Sequence, residues 1–326
     1  MHKEMTGWRV AAIAALALVA QAASAQWPDR PVTVIVPYAA GGGTDATGRM
    51  IATLLEKELG RPFNVVNRAG GGGVTGHSAI ASAPPDGYTI GIMTFEISTY
   101  AHMGQSNVSY RDFTPIALYN FDPASFHVRT ESPWKNAREA IAAIKAEPGK
   151  YKMSGGGGVG GSWHLATAGL FLKLGIDPMK VAIVPSNGAA PGMQELVSGG
   201  VDFIPCSVPE ARTMIEAGKA RSLYVQGASR IPAFPDIPTI REALGVDHLG
   251  GAWRAVVGPK GMPPDVVARL TAAVEKAYQS KEFKDFMASR GFGLDWKKGD
   301  EFSRFLETNF NETGEVVKAV GLAKKS

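Results

Sequence analysis

The five consecutive β-branched residues Val32-Thr33-Val34-Ile35-Val36 run through Pro37 into "YAAGGGTD", Tyr38 to Asp45. Apolar residues at helical spacing follow: Met50, Ile51, Leu54, Leu55 and Leu59. The first run reads as a buried strand, and the helix it feeds, from about Asp45, is stopped by Gly60 and Pro62. Three successive glycines cost backbone entropy on folding, so the question at such a strand–glycine–helix junction is what the turn holds. A second run, "SGGGGVGGSWH" from Ser154 to His164, occupies the same kind of junction, between the strand "YKMS" and the helix "SWHLATAGLFLKLG".

Strands and helices alternate along most of the chain. "NVVN" and "YTIGIMT" are short strands, separated by an Ala-rich helix and the turn Pro84-Pro85-Asp86-Gly87. After Asp122 the alternation restarts, with helix "AREAIAAIKAEPGK" before "YKMS" and the strands "VAIVP", "VDFIP" and "RSLYV" interleaved with helices "GMQELVSG" and "EARTMIEAG". This pattern predicts an α/β fold of two lobes with two mostly parallel sheets. From about Trp253, "WRAVVGPKG" and helices at Pro264 to Gln279, Glu282 to Ser289 and Asp300 onward leave no strands for a third sheet, so this tail should return to the first lobe. Lobe 1 is then 26–124 plus 250–326 and lobe 2 is 125–249, with crossings near 120–126 and 246–252. Ligands of open α/β sheets bind beyond the carboxyl ends of strands, so the cleft between the lobes is the expected site.

The first 25 residues have the layout of a secretory signal peptide: basic Lys3 and Arg9, an apolar run from Val10 to Ala20, and the small-residue ending Ala23-Ser24-Ala25. Cleavage after Ala25 puts the mature chain outside the cytoplasm. Cys206 is the only cysteine, which excludes a lipidated N-terminal cysteine and an internal disulfide. The leader carries two of the 34 Lys and Arg and one of the 30 Asp and Glu, leaving a mature net charge of +3. That mild excess, without a long basic run, argues against nucleic acid and does not repel an anion.

Helix starts present unpaired N–H groups and the positive end of the dipole, and glycines let an anion reach them. Two such starts on two lobes would clamp an anion; the plainer alternative is that Thr44, Asp45 and Ser162 are caps and the glycines only turns. Gly155, Gly157 and Gly160 also fit G-x-G-x-x-G, with Asp177 near the place of a ribose-binding acid, but a run holding six glycines meets that spacing almost unavoidably. "GGGVTGHS", Gly71 to Ser78, departs from a phosphate-binding loop in having His77 for the lysine. No G-x-S-x-G, H-E-x-x-H or C-x-x-C is present, and the six histidines are scattered. His164 reads as a residue hydrogen-bonding loop carbonyls or ligand, and Cys206 as a small buried hydrophobe. No metal, cofactor or catalytic group is expected.

"WPDRPVTVIVPYAAGGGTDATGRMIA", "NVVNRAGGGGVTG", "PPDGYTI", "YRDFTPIALY", "GVGGSWHLA", "VPSNGAAPGMQELVSGGVDF", "FPDIPTIREA" and "WRAVVGPKGMP" together resemble the Bug family. These are the extracytoplasmic solute-binding proteins of tripartite tricarboxylate transporters, and the resemblance runs in order through the mature chain. It implies a two-lobed periplasmic binding protein of the Venus-flytrap type II form. Such a protein captures a small carboxylate and delivers it to membrane transporter subunits. The loops implied to hold the ligand are Tyr38, Ala40, Gly41, Gly42, Gly43, Thr44 and Asp45 on one side, and Gly155, Gly158, Gly160, Gly161, Ser162 and His164 on the other. Thr94, Glu96, Asn187 and Cys206 complete the expected set. Two departures bear on the ligand: Ser186 replaces the usual aromatic of "VPY", and Glu96 brings an acid where relatives have small neutral residues. Glu96 in the cleft would disfavour a polyanion such as citrate, whereas facing solvent or a lysine it would not. A monomeric periplasmic receptor is the leading expectation, against a binding protein that feeds a membrane sensor kinase and a secreted nucleotide-cofactor oxidoreductase.

Overall fold

The computed structural model describes residues 27–324 except 157 and 187, so the expected leader, Gly157 and Asn187 lie outside the described residues. The chain opens with β1 (Val32–Val36), α1 (Gly43–Leu59), β2 (Phe63–Asn67), α2 (Val74–Ala81), β3 (Thr89–Thr94), α3 (Tyr100–Met103) and β4 (Phe113–Pro123). It continues as β5 (Ser125–Arg129), α4 (Ala137–Ala146), β6 (Lys152–Ser154), α5 (Ser162–Lys173), β7 (Ala182–Val184), α6 (Ala189–Ser198), β8 (Phe203–Cys206), α7 (Val208–Glu216), β9 (Ala220–Val225) and α8 (Ile240–Leu244). The tail is β10 (Gly251–Pro259), α9 (Pro264–Gln279), α10 (Lys281–Arg290), β11 (Leu294–Lys298) and α11 (Gly299–Ala319).

Two sheets result, a six-stranded one in the order β11-β4-β10-β3-β1-β2 and a five-stranded one in the order β7-β6-β8-β5-β9. The expectation of mostly parallel sheets is corrected: both are mixed. β1 is parallel to β2 and β3, but β10 runs antiparallel to β3 and β4, and β11 antiparallel to β4. In the second sheet β6 is parallel to β7 and β8, while β5 is antiparallel to β8 and β9. The physical reason is the chain path. β4 and β5 are separated only by Ala124, and β10 brings the chain back beside β4, so the strands next to each crossing enter against the parallel set.

Period-2 alternation decides which face each strand side chain serves. Val32, Val34 and Val36 pack with Ile51 and Leu55 of α1, Leu270 and Val274 of α9, and Phe283 of α10. Ile35 points the other way, toward Ile80 of α2, Trp253 of β10, and Phe302 and Leu306 of α11. The tail helices therefore cover both faces of the six-stranded sheet. α5 is buried from Ser162 through Phe171, and its residues enter three different apolar clusters. A helix apolar all round is an interior helix, and this one lies between the sheets.

At the junction of the two crossings sits a buried ion pair. Arg254 of β10 donates through Nη1 to Asp122 Oδ2 and Asn120 Oδ1 on β4 and through Nε to Thr44 Oγ1 at 2.9 Å, in the first turn of α1. Asp122 Oδ1 accepts the Gly293 N–H at 2.9 Å, which ties in the tail ahead of β11. Asp122 is 1% exposed and Arg254 5%. Removing one partner of such a pair strands a buried charge, so Asp122→Ala should lower the unfolding free energy by about 3–5 kcal/mol. Urea unfolding followed by circular dichroism reads this directly, and an unchanged midpoint would show that the pair is incidental to the fold.

Candidate functional site

The first glycine run forms the start of α1, two residues earlier than its sequence suggests. Gly42 is the N-cap in extended conformation with no side-chain cap, and the first helical bond is Ala46 N–H to the Gly42 carbonyl. The N–H groups of Gly43, Thr44 and Asp45 therefore leave the helix start without an intrahelical partner. Gly41 has φ +91°, a left-handed value that favours glycine and turns the loop into the helix. Asp45 does not face the opening. Its carboxylate accepts the Gly41 N–H at 2.9 Å, Arg49 Nε at 2.9 Å and Asn67 Nδ2 at 2.8 Å. Burial alone would push the Asp45 carboxyl up, but these hydrogen bonds and the Arg49 charge outweigh it and hold the carboxyl below its ordinary value. Asp45 thus shapes the loop and leaves the helix start free of a neutralising carboxylate.

The second run differs. Gly155 N–H donates to Val184 O, Gly156 N–H to Ser154 Oγ, Gly158 N–H to Gly155 O, Gly161 N–H to Gly158 O and Gly160 N–H to His164 Nδ1, at 2.8–3.4 Å. Its described glycine donors are spent on folding the loop rather than presented to a ligand. The start of α5 again lacks a side-chain cap from its own loop, but Ser162 N–H donates at 3.4 Å to Oε1 of Glu96. A carboxylate attached to the six-stranded sheet therefore sits at the helix start of the other element.

Between these loops lies a cavity of about 750 Å³. Of the expected site residues, Tyr38, Ala40, Gly41, Gly42, Gly43, Thr44, Thr94, Glu96, Gly155, Gly158, Gly160, Gly161 and Ser162 line it. Asp45, His164 and Cys206 do not, and Asn187 lies outside the described residues. His164 accepts a backbone N–H rather than bonding a loop carbonyl, and Cys206 is fully buried among Ile204, Met193 and Leu196. Glu96 is half-buried and faces the cavity, held by Thr94 Oγ1 on Oε2 at 2.7 Å, and no lysine or arginine among the described residues pairs with it. Burial first, and then the Glu96 charge, pushes the Tyr38 phenol well above its ordinary range. A second, larger and mostly apolar cavity of about 1080 Å³ adjoins it, and the two share Ser162, Trp253 and Phe292 in their walls.

The sequence reading missed Arg254, Glu210, Arg212 and Phe292, all on the cavity wall. Arg254 carried a signal: it is the one charge in "WRAVVG", inside a strand whose nine residues are all buried. Its Nη2 has no hydrogen-bond partner among the described residues, and a Cβ placed on Gly43 would stand 3.0 Å from it. The missing Cβ is what lets this guanidinium reach the start of α1. A polar chain fixes the opposite wall. Thr94 N–H donates to His77 Nε2 at 3.2 Å, which leaves the proton on Nδ1 to donate to Tyr100 Oη at 2.9 Å, and Tyr100 donates to Gly72 O at 2.9 Å. His77, where a phosphate-binding loop would have lysine, is a buried strut.

Comparison with known proteins gives a consistent result. Residues 47–322 match the model of the tripartite tricarboxylate transporter family receptor. The chain is 34% identical over 290 residues to a protein from the tcbD–tcbE intergenic region of Pseudomonas sp. strain P51, covering 87% of this chain and 85% of that one. Among solved structures it resembles the periplasmic binding protein BugD, at 28% identity and a TM-score of 0.78 over 92% of this chain and all of that one. It also resembles an R. palustris protein solved with adipate, at 28% identity and a TM-score of 0.79, covering 91% and 99% of the two chains.

His77, His127 and His164 are each pulled down by burial from the ordinary 6.5 to about 4. The unfolded chain binds their protons below about 6.5 while the folded protein resists until about 4, so the histidine contribution to stability rises with pH across that window and is fully present above it. Lowering the pH from 7 to 4 should cost about 1–3 kcal/mol per histidine, measured as urea unfolding at fixed ionic strength. A profile flat from pH 7 to pH 4 would contradict neutral, hydrogen-bonded roles for these rings, His127 included, which lies between Ser222 Oγ at 2.8 Å and the Cys206 carbonyl at 3.1 Å.

Proposed function

The chain belongs to the tripartite tricarboxylate transporter receptor family, and from that premise we propose that it is a periplasmic receptor capturing a small carboxylate for delivery to the membrane subunits of such a transporter. The observation that carries this reading is the start of α1: three backbone N–H groups without intrahelical partners, the unpartnered Nη2 of buried Arg254, and a cavity of about 750 Å³ in front of them. A helix start of this kind attracts an anion through both its donors and its dipole. The relative solved with adipate supports a carboxylate as the anion.

Function here is binding and release rather than covalent chemistry. The units 26–124 with 250–326 and 125–249 act as two lobes joined by the strands around Ala124 and Gly251, and they close on the ligand as a monomer. Glycines at the α1 start admit the carboxylate to the backbone, while Tyr38, Thr94 and Trp163 form the surrounding wall. The layout of residues 1–25 supports export through a cleaved leader and, with it, a periplasmic receptor.

Thermal unfolding of the refolded, ligand-stripped protein against a panel of aliphatic, aromatic and amino-acid carboxylates tests the proposal. A true ligand should raise stability as RT ln(1 + [L]/Kd), about 2.7 kcal/mol at a hundredfold excess over Kd. A panel without a single concentration-dependent shift would overturn the carboxylate reading.

A further inference from the structure

The two ends of the cavity differ in polarity. At the α1 end, the N–H groups of Gly43 and Thr44 and the unpartnered Nη2 of Arg254 face the same space, and Asp45 is turned away into its own loop. At the α5 end, the helix start is already served by Glu96, whose Oε1 accepts the Ser162 N–H at 3.4 Å. Oε2 of the same carboxylate is held by Thr94 Oγ1 at 2.7 Å, so Glu96 is fixed in the cavity by neutral donors and has no cation partner among the described residues.

We propose that Glu96 makes this cleft selective for zwitterions: ligands that place a carboxylate at the start of α1 and an ammonium, or another strong donor, against Glu96. The inference rests on the carboxylate reading above and narrows it. When the lobes close, water leaves the cavity, and a second ligand carboxylate brought against Glu96 sets two like charges in a poorly solvated space. An ammonium there gains both an opposite charge and an acceptor that is already oriented. Were the α5 start free, as the α1 start is, it would take the second carboxylate of a dicarboxylate. Glu96 occupies that place from within the chain.

Isothermal titration with matched pairs of equal reach tests this: glutarate against γ-aminobutyrate, and adipate against δ-aminovalerate. The wild-type protein should bind the ammonium member of at least one pair about tenfold or more tighter than its dicarboxylate. Glu96→Gln removes the charge while its amide oxygen still accepts the Ser162 N–H and its NH2 donates to the Thr94 hydroxyl, which can accept in turn, and it should erase or reverse that ratio. If the wild type prefers the dicarboxylates, or does not discriminate, the zwitterion inference fails while carboxylate capture stands. A preference unchanged in Glu96→Gln removes Glu96 from the explanation and overturns the proposal. If neither member of any pair binds and the wider carboxylate panel also gives no shift, the underlying reading falls and takes the inference with it. If the panel yields a ligand with no ammonium or comparable donor while both amino acids fail, the inference alone is overturned.

Discussion

The Asp122–Arg254 pair is the constraint on which the remaining geometry depends. It is formed where the chain leaves the six-stranded sheet on β4 and where it returns on β10, and its other hydrogen bonds reach Thr44 in α1 and Gly293 before β11. Two charges this deep contribute little net stability by themselves, because desolvation offsets their attraction. What they fix is position. With Nε and Nη1 committed to Thr44, Asn120 and Asp122, the guanidinium plane is set, and Nη2 is the edge left over against Gly43. The start of α1 and the strands β4 and β10 are therefore held by one side chain, and a carboxylate bound at that start would touch the group that joins them.

The second determinant is the inequality of the two glycine runs. Both lie between a strand and a helix, yet one leaves its helix N–H groups open while the other spends its described glycine N–H groups on three bonds within the loop, one to Val184 of β7 and one to His164. Glycine content alone does not make an anion site. The distinction lies in where the nearest carboxylates go: Asp45 turns back to Gly41, Arg49 and Asn67, whereas Glu96 reaches across to Ser162. The two helix starts, read from the sequence as the jaws of one anion clamp, differ in charge: the one at α5 already carries the Glu96 carboxylate.

Much of the fold was legible because β1 and β3 are runs rich in β-branched and apolar residues, and β9 ends in the buried Leu223-Tyr224-Val225, patterns that a buried strand accommodates. The strands that escaped notice share a different character. β4 carries Pro115, Asn120 and Asp122, whose polar groups are satisfied by the Arg254 network rather than by solvent, so it does not read as a core strand. β5, "SFHVR", hides a buried His127 held by Ser222 and the Cys206 carbonyl. β11, "LDWKK", is a partly exposed edge strand whose lysines pair with Asp295 and Glu275. The cavity wall was legible where it is made of backbone, in Gly41 to Thr44, and illegible where it depends on a partner far along the chain. Nothing near Thr44 in the sequence announces Arg254, 210 residues away, or says that the Glu96 carboxylate points to Ser162.

The most direct measurement is a crystal structure of the protein with its carboxylate ligand at a resolution that defines individual oxygens. The account predicts one carboxylate at the start of α1, its oxygens about 2.7–2.9 Å from N–H groups of the Gly41 to Thr44 segment or from Arg254 Nη2. A ligand carboxylate seated instead at the start of α5 with Glu96 displaced, or a ligand held in the apolar cavity beside Phe305 and Leu165, would contradict it.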